Sequence, residues 1–190
     1  MKIILASASP RRREILTTIG LAPDEIMPSD ADETIAEGTP AHEAVMILSE
    51  RKAESVAKKA PADSLLIASD TVVVLDGEIL GKPRDRQDAY DMLSRLSGRI
   101  HSVYTGVCMI LNEKKSVFYQ KTDVEFYPLT DADINAYLDT GEPFDKAGAY
   151  GIQGRGSVLV KGIDGDFFTV MGLPAAEVYR TAERFCKNDE

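Results

Sequence analysis

The sequence predicts an α/β protein, and three stretches predict it. Lys2 to Ala6 is a short apolar run that leads straight into a helix start signal. Ser64 to Leu75, SLLIASDTVVVL, is apolar and β-branched almost throughout, the pattern of a strand buried on both faces. Ile100 to Leu111 and Val117 to Tyr127 read as two long antiparallel strands around the turn Asn112 to Lys115.

Each element follows from local signals. Ser9 stands at an N-cap position and Pro10 at the first helical position; Ile15, Leu16 and Ile19 recur at helical spacing, and Gly20 stops the helix. Asp24 to Ser29 is a plausible second strand, followed by the acidic loop Asp30 to Thr34. Thr39-Pro40 repeats the cap signal and opens a helix to about Lys59, with Ala44, Val45, Leu48 and Val56 on its apolar side. Asp76-Gly77 is a type I′ hairpin signal with Glu78 to Leu80 returning. Asp85 caps a helix to about Leu96 that Gly98 closes, and Thr130-Asp-Ala-Asp133 resembles a capping box at the head of a helix ending near Gly141. Four glycines between Gly148 and Gly156 predict a loop whose backbone comes close to another strand or to a ligand. Val158 to Gly162 and Phe167 to Val170 are expected to form a hairpin across Asp164-Gly165, and Pro174 begins a final helix to about Cys186.

At 190 residues, one domain spanning 1–190 is expected, burying about 70% of the surface its unfolded chain exposes. A balance of 22 basic against 31 acidic residues, net −9, opposes binding to long nucleic acids while leaving room for a small anion on a local basic cluster. Cys108 and Cys186 have neither CxxC nor Cys/His spacing, which argues against a disulfide framework or a zinc site and fits a reducing cytoplasm. No apolar run approaches membrane-spanning length, and no leader pattern precedes the first strand, so no membrane partner is expected.

Several residues suggest chemistry. The first strand delivers Ser7, Ser9, Arg11, Arg12, Arg13 and free backbone N–H groups to one helix N-terminus, an arrangement suited to an anion. The helix end contributes only about 0.3–1 kcal/mol, so forked arginines must supply most of the grip on a polyphosphate. An ordinary capped helix with solvated arginines accounts for these residues equally well. Asp70 interrupts the most apolar strand; buried unpaired it would cost several kcal/mol, so it must be neutralised, paired or metal-bound. Thr71 faces the other side of a regular strand unless a bulge re-aims it. Gly77 to Lys82 is one residue short of a P-loop and has Pro83 in place of the Ser/Thr, so that reading fails, although Lys82 can still face a phosphate. Lys52 reads locally as a surface lysine, the acidic loop as solvated, and His42 and His101 as solvated or structural.

Ser7-x-Ser9-x-x-Arg12, Asp32-Glu33, Lys52, Ser69-Asp70-Thr71, Gly81-Lys82-Pro83 and Asp145 to Gly154 (DKAGAYGIQG), in that order along the full chain, resemble the Maf family of nucleoside triphosphate pyrophosphatases. The resemblance implies a mixed twisted sheet flanked by helices, two lobes with a central cleft, and a fold related to inosine triphosphatase. It also implies hydrolysis of a nucleoside triphosphate to the monophosphate and pyrophosphate with a divalent metal, and a homodimer. DKAGAYGIQG, with Thr71 after Asp70, looks like the branch acting on dTTP and UTP. In that branch the positions of Arg12, Thr71 and Gln153 go with substrate choice and that of Asp70 with proton abstraction. The residues suit these tasks: Glu33 and Asp70 offer oxygen ligands to Mg²⁺ or Mn²⁺, Asp70 either accepting the proton or holding the metal, and Lys52 and Lys82 neutralise phosphates. Ser7, Ser9, Arg12 and Arg13 bind them, while Thr71 and Gln153 pair with a pyrimidine edge. The alternatives are a nucleotide-binding regulator of cell division, which has no use for a buried base at Asp70, and a 7-methyl-GTP pyrophosphatase.

Overall fold

The computed structural model describes residues 1–187. Among them are β1 (Lys2–Leu5), α1 (Pro10–Thr18), β2 (Glu25–Ile26), α2 (Ala41–Ala57), β3 (Ser64–Leu75), β4 (Glu78–Leu80) and α3 (Arg86–Leu96). They are followed by β5 (Ile100–Leu111), β6 (Lys114–Phe126), α4 (Asp131–Leu138), β7 (Val160–Asp164), α5 (Phe167–Met171) and α6 (Ala175–Lys187). The strands form one mixed seven-stranded sheet in the order β2-β1-β3-β5-β6-β7, with β4 paired to β3. β1 lies parallel to both β2 and β3, whereas β4 on β3 and β7 on β6 are antiparallel. The expected α/β class and mixed sheet are therefore both present.

The chain divides into two compact units, Met1–Asp70 with Thr105–Gln120 and Gly172–Glu190, and Thr71–Tyr104 with Lys121–Met171. In the first, Ile4 and Ala6 of the β1 segment, Leu66 and Ala68 of β3, Cys108 of β5, and Ala53 and Val56 of α2 share one buried cluster. α2 lies so close that a Cβ on Gly106 of β5 would come within 2.3 Å of the Val45 carbonyl oxygen. Only glycine lets the helix backbone rest on the strand there, which fixes the seat of Lys52 one position before the buried Ala53. In the second unit, Val73, Leu93, Val103, Phe126, Ile134, Tyr137 and Tyr150 belong to a separate cluster.

Most local signals act as expected. Gly20 (φ 78°) ends α1 in a Schellman arrangement, its N–H donating to Thr17 and that of Leu21 to Leu16. Asp76 and Gly77 both carry positive φ, as a type I′ turn demands, and the Asp85 side chain caps α3. Thr130 and Asp133 form a reciprocal capping box on α4.

Ser9 occupies the N-cap of α1 as expected, although its side chain makes no capping bond. Four expectations need correction. Pro40, not Thr39, is the N-cap of α2, because the Thr39 hydroxyl donates backwards to the Ala36 carbonyl. The second strand shrinks to Glu25–Ile26, and β6 starts at Lys114 because Asn112 at φ 53° closes the turn early. Most substantially, Phe167 to Val170 is not the returning arm of a hairpin but lies in helix α5. Asp166 caps that segment, accepting from the Thr169 N–H at 2.6 Å and the Thr169 hydroxyl at 2.7 Å, while β7 pairs with β6 instead.

Candidate functional site

The first unit places its charged groups by strand register. Leu5 of β1 pairs with Ile67 of parallel β3, so the segment Ser7 to Ser9 leaves the sheet level with the stretch of β3 that reaches Ser69 and Asp70. Both lie at the C-terminal side of parallel strands, where open α/β sheets put their ligands. Side chains alternate along β3: Leu66 and Ala68 pack under α2, so Asp70 continues the same face and Ser69 the other. Lys52, beside Ala53 on α2, therefore meets Asp70.

The Lys52 ammonium lies 2.6 Å from Asp70 Oδ1 and 2.9 Å from Glu33 Oε1. The Lys52 and Asp70 side chains are only 13% and 11% exposed, whereas Glu33 is 64% exposed. A buried pair of this kind is strongly destabilised, by about 3–5 kcal/mol, when one partner alone is removed. The local reading of Lys52 as a surface lysine is thus overturned by a contact 18 residues away in sequence. Glu33 stays solvent-accessible, as its loop predicts, but is tied to that lysine.

Arg12 is held from two sides. Its Nε donates to the Gly172 carbonyl at 2.9 Å and Nη1 to Ser7 Oγ at 3.1 Å. Ser7 Oγ also accepts from the Ser9 N–H at 3.2 Å. Burial draws the Arg12 guanidinium below its ordinary pKa, a shift opposed first by Asp70, reinforced by Arg11 and opposed again by Glu33. Arg12, Asp70 and Glu33 thus share one electrostatic neighbourhood. Arg13 is exposed on the same turn.

Three partners escape the sequence. Gly172 accepts from both Arg12 and Ser69, whose buried hydroxyl donates to it at 2.7 Å; a lone backbone carbonyl carries no sequence signal. Arg51 donates to the Thr34 carbonyl at 2.6 Å, and Lys59 lies 2.9 Å from Asp30 Oδ2. Arg51 and Ser55 on α2 and Lys59 in the turn just after it recur every fourth residue, so this polar stripe facing the acidic loop was open to discovery from helical spacing.

The remaining expected residues belong to the second unit. Thr71 is half-buried directly after Asp70 on β3. Lys82 is exposed after β4, and its ammonium has no carboxylate partner among the described residues. Gln153 is half-buried between two 3₁₀ turns, and its side-chain amide makes no hydrogen bond among the described residues. The close approach expected of the glycine-rich loop is to protein: a Cβ on Gly148 (φ +65°) would come within 2.9 Å of Val73. A cavity of about 330 Å³ in this unit, lined by Tyr127, Tyr137, Arg155 and Val158 among others, contains none of the expected site residues.

His101 is structural. It is 2% exposed, Nε2 lies 2.7 Å from the Tyr150 hydroxyl, and Phe126 and Tyr150 meet its ring edge to face. His42 lies at the surface beside Glu43 and Tyr119. Cys108 is buried, which pushes its thiol up to about 12, and both cysteines are free. No helix among the described residues is long and apolar enough to cross a membrane.

As a metal centre the first unit is sparse: among the described residues no three His, Cys, Asp or Glu side chains converge. Glu33 and Asp70 nonetheless meet on one ammonium, so two carboxylates point into a common space. That set does not make a closed cage for any metal. It does fit Mg²⁺ or Mn²⁺, which take one or two carboxylates and complete their shell with phosphate oxygens and water.

A protein of Bacillus velezensis named dTTP/UTP pyrophosphatase is 47% identical over 184 residues, covering 97% of this chain and 96% of its own. One of the same name from Carboxydothermus hydrogenoformans is 50% identical over 95% of this chain and 96% of its own. Among solved structures, the Staphylococcus aureus Ham1 protein aligns over 66% of this chain and 72% of its own at 19% identity and TM-score 0.47, too loose a likeness for a shared fold to follow. The family model for Maf-like proteins matches residues 2–185, and with near full-length relatives at such identity the chain belongs to the Maf family.

Proposed function

We propose that the chain hydrolyses dTTP and UTP to the nucleoside monophosphate and pyrophosphate. The observation that carries the reading is the buried Asp70, held by Lys52 together with Glu33 and coupled to Arg12. A carboxylate kept in an apolar strand at this cost, next to cations suited to phosphate, is placed for chemistry on a polyanion. Relatives named dTTP/UTP pyrophosphatase, at 47% and 50% identity over nearly the whole chain, support the choice of substrate.

The chemistry divides among residues by what each can do. Arg12, oriented by Ser7 and Gly172, offers phosphate oxygens a forked cation. Ser7, Ser9 and the exposed Arg13 add donors around the start of α1. Asp70 takes the proton from the water that adds to phosphorus as the bond between the α and β phosphates breaks; Lys52 holds that carboxylate in place. Lys82 offers a further positive charge for the polyphosphate. Glu33 and Asp70 would hold the divalent ion, which supplies Lewis-acid neutralisation of the phosphate charge and a more acidic water. Thr71 and Gln153 present a hydroxyl and an amide to the base, and a site built to hydrogen-bond one base edge rejects others strongly.

The test is product analysis of purified protein incubated with dTTP, UTP, 7-methyl-GTP and ATP, with Mg²⁺ or Mn²⁺ and with chelator. Monophosphate and pyrophosphate from dTTP and UTP, abolished by chelator, are the expected result. Turnover confined to 7-methyl-GTP would overturn the base assignment while keeping the chemistry. Folded protein that binds nucleotides and turns none over would overturn the enzymatic reading in favour of a nucleotide-binding regulator.

A further inference from the structure

Gln153 sits in a segment with no strand or α-helix of its own: one 3₁₀ turn ends at Ala149, and the next runs Gly154–Leu159. Such a segment does not aim a side chain unless something fixes its backbone on both sides. Two side chains from outside it do so. On the near side, the Tyr137 hydroxyl of α4 accepts from the Gly151 N–H at 3.1 Å. On the far side, the Glu142 carboxylate accepts from two successive backbone groups, the Arg155 N–H at Oε1 (3.0 Å) and the Gly156 N–H at Oε2 (3.3 Å).

The glycines show that these contacts are built in. A Cβ on Gly154 (φ +65°) would come within 2.8 Å of Glu142 Oε1, and one on Gly156 within 2.7 Å of the Tyr137 hydroxyl and 2.2 Å of the Gly151 carbonyl oxygen. The two glycines therefore leave the space that the carboxylate and the phenol occupy. Glu142 is half-buried and Tyr137 is 3% exposed; the Gly151 and Gly156 bonds are partly buried and the Arg155 bond is exposed. Burial pushes the Tyr137 hydroxyl up to about 12, so it stays neutral at ordinary pH.

We propose that Glu142 and Tyr137 are positioning residues for specificity: they clamp the backbone on either side of Gln153 and so set the direction of its amide toward the base. The proposal rests on the dTTP/UTP reading given above. An amide presents one acceptor beside one donor, the complement of the N3–H and O4 edge that thymine and uracil share. Cytosine offers an acceptor and an amine at the same places. A clamp on the backbone holds the amide within reach of that edge, and a loosened clamp lets it drift away, which costs most for the base that depends on the contact.

The experiment measures kcat and KM for dTTP and for CTP with wild type, Glu142→Gln and Tyr137→Phe. Glu142→Gln keeps the shape but points an NH₂ group at one of the two backbone donors; Tyr137→Phe removes the acceptor for Gly151. The expected result is a fall of about tenfold in the dTTP-to-CTP ratio of kcat/KM, carried by KM for dTTP, with kcat for dTTP held within about threefold. Equal loss on both substrates, with the ratio unchanged, would assign these residues a structural role and overturn the proposal. So would an unchanged ratio with full activity. If Glu142→Gln does not fold, Tyr137→Phe decides alone by the same ratio. Wild-type protein that leaves dTTP intact would instead defeat the underlying functional reading, a failure distinct from either.

Discussion

The two compact units bury their polar groups in opposite ways. In the first, the polar contact that stands out is between charges: Lys52 on Asp70 at 2.6 Å, both side chains largely buried, with Glu33 on the same ammonium. In the second it is between neutral groups: His101 and the Tyr150 hydroxyl at 2.7 Å, enclosed by the ring of Phe126. Neutral partners of this kind bond each other and add aromatic contact, a structural reason for their burial, although His101 Nδ1 is buried without a partner among the described residues. An ion pair seldom repays its desolvation, so its burial calls for another reason. The difference marks the Lys52–Asp70 pair as the candidate site, and it does so without reference to any relative.

The sharpest way to break that contrast is Asp70→Asn, which keeps the shape and removes the charge. If the buried charge is there for proton transfer, kcat for dTTP falls about 10²–10⁴-fold while calorimetry still detects nucleotide binding. Turnover within tenfold of wild type would make Asp70 as structural as His101.

His101 tests the other side. Burial holds its imidazole down at about 4, opposed only by Asp123. In the unfolded chain the group titrates near about 6.5, so between the two values the unfolded state binds more protons than the folded one. Its contribution to stability is complete above pH 6.5 and is lost as pH falls toward 4, by up to about 3 kcal/mol. In His101→Phe, the urea midpoint should depend less steeply on pH across that window than in wild type. Equal slopes would mean that His101 is protonated in the folded protein and that the second unit buries charge after all.

How much of this was legible in the sequence follows the range of the interaction. β3 and β5 have the bounds their composition predicts, because apolar β-branched runs bounded by turns read the same at every scale. Asp70 stood out because one carboxylate in such a run is a local contradiction. Its partner did not: Lys52 looks like any helix-surface lysine until α2 is laid on β5 at Gly106 and β3 brings Asp70 beneath it. The missed helix α5 shows the converse failure. Phe167 to Val170 is apolar enough for a strand, and the capping carboxylate of Asp166 outweighs that pattern.

The smallest effect bears on whether the second unit can be weakened without touching chemistry. Thr130 Oγ1 accepts from the Asp133 N–H at 3.2 Å and Asp133 Oδ2 from the Thr130 N–H at 2.8 Å, closing a capping box on α4. The Thr130 hydroxyl and N–H, in that order, hold the Asp133 carboxyl below its usual range. Thr130→Ala removes one arm of the box and should cost about 1 kcal/mol by urea unfolding. α4 also carries Tyr137, one of the two clamps on Gln153, so the same variant asks how far a frayed helix start propagates. Tyr137 lies in the last turn of α4 and is anchored in the buried cluster with Ile134 and Leu138, so fraying at Thr130 should stop short of it. Unchanged kcat and an unchanged dTTP-to-CTP ratio are therefore expected alongside the lost stability. A fall in that ratio would mean that the cap, and not the cluster, holds Tyr137 against Gly151.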